Sequence, residues 1–139
     1  MFTKADRQLR KQRLNALAAI LEVSPDEKFD MTQWRGDKSG KLNTPTTSLK
    51  TCGTVSCAFG HAIAAFPQLK LAINAHGRTC VRIREHDEEG DGELFYFFVE
   101  AAQTFFRLTT RQADDLFLPD DMDRVSKQEV IKRIRKAAK

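Results

Sequence analysis

Residues 80–99 read CVRIREHDEEGDGELFYFFV, and the period of this stretch decides the fold class. CVRIRE alternates apolar and basic side chains, ELFYFFV is aromatic and β-branched, and HDEEGDGE between them supplies turn residues. Alternation of this kind sets one face on a core and the other in water, so the stretch predicts an antiparallel hairpin. Outward from it, the periodic segments are helical. Thr3 is placed to cap a helix to about Glu22, with Leu9, Ala16, Leu17, Ile20 and Leu21 on one face. Ser24, Pro25 and Glu27 have the pattern of a capping box opening a short helix before Trp34. Thr54 is expected to cap a central helix that ends before Pro67, with Val55, Phe59, Ile63 and Phe66 on its apolar face and Cys57, Gly60 and Ala64 on a small flank. A further short helix is expected over residues 68–75. Helical period resumes near Val99, Thr109 with Gln112 opens another helix stopped by Pro119, and Ser126 with Glu129 opens a basic last one. The expected fold class is therefore α+β: a mainly helical single domain over residues 1–139 with one antiparallel β-hairpin.

Composition narrows the class of protein. A chain of 139 residues is long enough for one core and short for two. Ten Phe against one Trp and one Tyr make Phe the packing residue. Residues 35–51 turn to Gly, Ser, Thr, Lys and Pro and predict a mobile loop. Three cysteines cannot all pair within one chain, and the N-terminal region has no secretory pattern, which favours a reducing, cytoplasmic setting. With no apolar run near the ~18 residues that a membrane helix needs, no membrane contact is expected. The net charge of +4 is unevenly spread: ten Lys/Arg face six Asp/Glu in residues 1–50, four face seven in 51–100, and nine face six in 101–139. Basic ends flank an acidic middle.

Several groupings carry chemistry. Cys52 and Cys57, with His76 and Cys80, have Cys-x4-Cys and His-x3-Cys spacing compatible with a structural zinc site, and His61 is an alternative ligand. Cys57 in a first helical turn also suits an activated thiol with His61 as base. Both compete with a plainer reading, buried cysteines and a polar histidine, so no cofactor is expected, with zinc as the alternative. GDKSGK at 36–41 fails as a phosphate loop, because its glycines are too close and Leu42 replaces the magnesium-binding hydroxyl. Asp87, Glu89, Asp91 and Gly92 imitate the start of a calcium loop, but Phe98 stands where the bidentate Glu belongs. Lys4, Arg7 and Lys11 near one end, Lys132, Arg133, Arg135 and Lys136 near the other, and Arg35, Lys38 and Lys41 in the loop are the binding candidates. Should the terminal helices lie side by side, their cations would form a stripe for phosphate contact.

KFDMTQW, CGTVSCAFGHA, FFRLTTRQADDLFLP and SKQEVIKRI, spread over residues 28–134, resemble a recurring group of short phage and bacterial proteins without an assigned biochemical role. The pattern matches at Cys52, Gly53, Thr54, Cys57 and Gly60. That resemblance implies a mobile-element setting, in which small proteins bind and block a larger host machine. It implies no catalytic residues. The expected function is a noncatalytic protein that binds a host protein or complex, an inhibitor among the options. A nucleic-acid accessory protein using the basic termini is one alternative, and a zinc or thiol protein centred on Cys52, Cys57 and His61 is another.

Overall fold

The computed structural model describes residues 2–26, 29, 36–37, 54–55, 57–73, 75, 79–85, 90, 92–121 and 124–139. The elements run α1 (Lys4–Val23), β1 (Gly36–Asp37), β2 (Thr54–Val55), α2 (Ala58–Ala65), β3 (Leu69–Ile73), β4 (Thr79–Ile83), β5 (Glu93–Phe95), α3 (Phe98–Phe106), α4 (Thr110–Phe117) and α5 (Lys127–Ala137). The domain is α+β and mainly helical, as its periodicities require. Of the expected loop, only Gly36 and Asp37 are described, and they pair antiparallel with Val55 and Thr54.

Helix starts follow their caps. Thr3 Oγ1 accepts from Asp6 N–H while the Asp6 carboxylate accepts from Thr3 N–H, and Thr109 and Gln112 repeat the device at α4. Ser126 Oγ accepts from Glu129 N–H at α5. α2 departs from expectation. Its N-cap is Cys57 rather than Thr54, because the β-branched Thr54–Val55 pair is extended and hydrogen-bonded to β1. Ser24 closes α1 and its hydroxyl goes to His61; of the short helix expected before Trp34, only Pro25, Asp26 and Phe29 are described, and the rest lies outside the described residues.

Residues expected to form a helix over 68–75 form β3. Leu69, Leu71 and Ile73 alternate with Lys70 and Ala72, a period of two that the neighbouring strand stabilises. The expected hairpin is present as β4 and β5, paired from Val81↔Phe95 to Ile83↔Glu93, and β3 adds to the other edge of β4. The sheet therefore has three antiparallel strands in the order β3-β4-β5. β5 stops at Phe95 and the chain turns into α3, so the aromatic run FYFF divides between strand, corner and helix. Gly92 leads into β5 at φ +83° with its backbone close against the end of β4; a Cβ there would lie 2.2 Å from the Ile83 carbonyl oxygen.

One sheet face, carrying Leu69, Val81 and Ile83, packs on α2 and α3, and α1 with α4 and α5 completes the helical layer. The core is aromatic at its centre. Phe59 meets the Phe117 ring edge-on at 5.7 Å and the Phe106 ring at 6.5 Å, and Phe106 stacks on Phe117 at 5.5 Å. Each buried Phe contributes about 1.5–3 kcal/mol, with about 0.5–1.5 kcal/mol more for a well-oriented ring pair.

Candidate functional site

His61 is buried in the second turn of α2, and both ring nitrogens are engaged. Nδ1 lies 2.9 Å from the Cys57 carbonyl oxygen, an acceptor only, so Nδ1 carries the proton. Nε2 lies 3.1 Å from Ser24 Oγ, which donates to it. The ring thus ties the first turn of α2 to the end of α1. Lys127, buried at the start of α5, joins the same junction by donating to the Ser24 carbonyl and to Asp26 Oδ1, each at 2.6 Å. At Cys57 the imidazole meets the backbone oxygen, the wrong atom for activating a thiol. Cys57 and Cys80 are both buried. Cys52 and His76 lie outside the described residues, and among the described residues no three His, Cys, Asp or Glu side chains gather as metal ligands.

The basic candidates divide. Arg35, Lys38 and Lys41 lie outside the described residues. α1 and α5 do pack together, and the side-chain bonds that join them, Arg135 to Glu22 and Lys127 to the Ser24 carbonyl, lie at the C-terminal end of α1. Lys11 is eleven residues from Glu22, about 16 Å along a helix axis, and Lys4 and Arg7 are further still. Arg133 is held by Asp121 in a two-pronged pair at 3.0 and 2.8 Å, with Glu129 at 3.3 Å. That hydrogen-bonded pair lowers the Asp121 carboxyl below its ordinary value and raises the Arg133 guanidinium. Arg7 donates to the Phe2 carbonyl, while Lys4, Lys11, Lys132 and Lys136 are exposed. The structure therefore separates the two basic clusters and engages Arg133 and Arg135 in ion pairs at the surface.

Two further surfaces stand out. The first is the sheet face turned from the helices. Lys70 and Arg82 are direct cross-strand partners, Arg84 follows on the same side of β4, and Gln68 with Gly90 completes a cleft of about 600 Å³. The alternation in CVRIRE signalled its arginines, but with residues 68–75 read as helix no second strand was available to place Lys70 beside them. The second surface is the corner between β5 and α3, where Tyr96 and Phe97 are 62% and 65% exposed. Four consecutive aromatics in FYFF were the available signal: neighbouring residues on an extended chain point to opposite faces, so they cannot all reach one core.

Behind the cleft, Glu85 is gripped from the core side. Arg13, 8% exposed, donates to both its oxygens at 2.9 and 2.6 Å, donates to the Phe105 carbonyl at 2.8 Å, and lies 4.0 Å above the Phe105 ring. Arg10 donates to the Arg107 carbonyl at 2.7 Å, so arginines of α1 satisfy carbonyls that the end of α3 leaves open. No family model, curated protein or solved structure matches this chain.

Proposed function

We propose that this chain is a noncatalytic binding protein, of phage or prophage origin, that seats a host protein on the corner formed by Tyr96 and Phe97. The observation that supports this reading is the exposure of those two adjacent aromatics, 62% and 65%, at a junction where a strand passes directly into a helix. A folded domain gains little from leaving such rings in water, whereas aromatic side chains on a rigid scaffold are the commonest anchors of protein interfaces. The corner is held by Phe95 and Phe98, both packed against the core on either side of it. It presents its rings without the ordering cost of a flexible loop. Among the described residues no helix is long and apolar enough to cross a membrane.

The test is affinity capture from a lysate of the cells that carry the gene, with wild type and a Tyr96→Ser, Phe97→Ser double variant compared side by side. Both rings are outside the core, so the variant is expected to retain the wild-type urea unfolding midpoint. A partner held by wild type and lost from the variant supports the corner as the anchor. The same partner retained by the variant, or none captured by either, refutes the reading.

A further inference from the structure

The open sheet face breaks a rule of strand pairing. Lys70 on β3 stands directly opposite Arg82 on β4, and like charges so placed oppose the pairing. Arg84 adds a third positive charge beside them, its N–H bonded to the Gln68 carbonyl at 2.9 Å. Glu85 borders the same cleft, but Arg13 occupies its oxygens from behind. Arg82 gives one N–H to the Gly92 carbonyl at 3.4 Å, and among the described residues nothing pairs with the side chains of Lys70 and Arg84. Gln68, which lines the cleft, has its Oε1 buried with no donor among the described residues. A buried acceptor left unmet and a cluster of like charges left unneutralised each destabilise the fold, and departures of this sort concentrate at functional sites.

We propose that this cleft binds a mononucleotide. The two unmet demands define the ligand: an anion for Lys70, Arg82 and Arg84, and an N–H or O–H donor for Gln68 Oε1. A guanidinium fork matches phosphate oxygens two at a time, and an ammonium adds a mobile third contact. A nucleoside supplies donors on both base and ribose, and a volume of about 600 Å³ suits a ligand of this size. This site is independent of the aromatic corner, and its failure would leave the corner untouched.

The test follows the amides of β3 and β4 by 15N NMR while AMP, inorganic phosphate, adenosine or oligothymidylate is titrated into the full chain. AMP is expected to shift resonances of residues 68–72 and 80–84 and to bind more tightly than either phosphate or adenosine. Lys70→Gln with Arg84→Gln is expected to weaken AMP about tenfold or more, while Lys132→Gln with Lys136→Gln leaves it unchanged. Gln68→Leu is expected to bring AMP down to the affinity of inorganic phosphate. Absence of shifts, equal affinity for AMP and adenosine, or AMP binding unchanged by the Lys70/Arg84 or Gln68 variants overturns the assignment. So does oligothymidylate binding more tightly than AMP at these same residues, which would make the face a nucleic-acid surface. Lys70, Arg84 and Gln68 line the cleft and Lys132 and Lys136 are exposed on α5, and a retained urea midpoint separates lost binding from lost folding.

Discussion

Replacing Arg13 with alanine removes a charge that the fold has taken out of water and leaves what it was holding. Four contacts go at once: two hydrogen bonds to the Glu85 carboxylate, one to the Phe105 carbonyl, and the guanidinium face on the Phe105 ring. Breaking a fully buried pair by removing one partner costs about 3–5 kcal/mol. Two features bring the figure for this pair toward the lower end. The Glu85 side chain is 25% exposed and can be partly resolvated, and Arg107 lies 3.9 Å from it as a second cation. The Phe105 carbonyl loses a charged donor, which costs about 1.5–3 kcal/mol where water cannot replace it. The expected loss for Arg13→Ala is about 3 kcal/mol. At a urea slope of about 1.5–2 kcal/mol/M, that lowers the unfolding midpoint by about 1.5–2 M. Arg13→Lys keeps the charge but not the planar fork, so it should recover part of the loss, with an expected cost of about 1–1.5 kcal/mol. Urea titration followed by circular dichroism measures both variants. A midpoint shift of less than about 0.5 M for Arg13→Ala, or no recovery by lysine, would refute the argument that the two-pronged pair organises this part of the domain.

Gly92→Ala places a methyl against the Ile83 carbonyl and forces a side chain into positive φ, so a loss of about 1–3 kcal/mol is expected by urea titration; an unchanged midpoint would contradict the close approach of Gly92 to Ile83. Phe59→Ala empties the meeting point of three other rings and should cost about 3–5 kcal/mol, read the same way, with a loss near 1 kcal/mol counting against a well-packed aromatic centre. Thr3→Ala removes the cap of α1 and is expected to cost about 1 kcal/mol. The Asp6 carboxyl is held below its ordinary 3.8 by the Thr3 backbone N–H first and the Thr3 hydroxyl next, and Asp121 is lowered by Arg133. Their folded-state values lie under the unfolded ones, so the stability they add is present above about pH 4 and is lost as pH falls through the folded values. Denaturant midpoints measured across this range should show a smaller acid loss in Asp6→Asn with Asp121→Asn than in wild type, and identical profiles would contradict the linkage.

How far the molecule is legible in its sequence depends on the range of the force that decides each element. Caps act over three residues, so Thr3, Thr109 and Ser126 mark their helices without help from the rest of the chain. β3 is decided differently. LKLAI satisfies either a short amphipathic helix or a strand, and it is a strand because β4 lies beside it in register. Cys57 and His61 show the same dependence on context: spacing alone admits a ligand pair or a catalytic pair, and the ring's direction toward the Cys57 carbonyl and Ser24 is known only once α1 and α2 are packed. The cationic cleft is furthest from what sequence can show, since its charge depends on a residue outside it. Glu85 stands next to Arg84 in the chain and would neutralise it, yet Arg13, 72 residues earlier, draws that carboxylate toward the core. The positive face of the sheet is therefore a property of the Arg13–Glu85 pair, which ties α1 to the segment just after β4. It follows that Arg13→Met, which keeps much of the bulk and removes the fork, should release Glu85 toward Arg84 and weaken AMP binding although Arg13 itself does not line the cleft. Unchanged AMP affinity in a folded Arg13→Met protein would break the link between the buried pair and the open site.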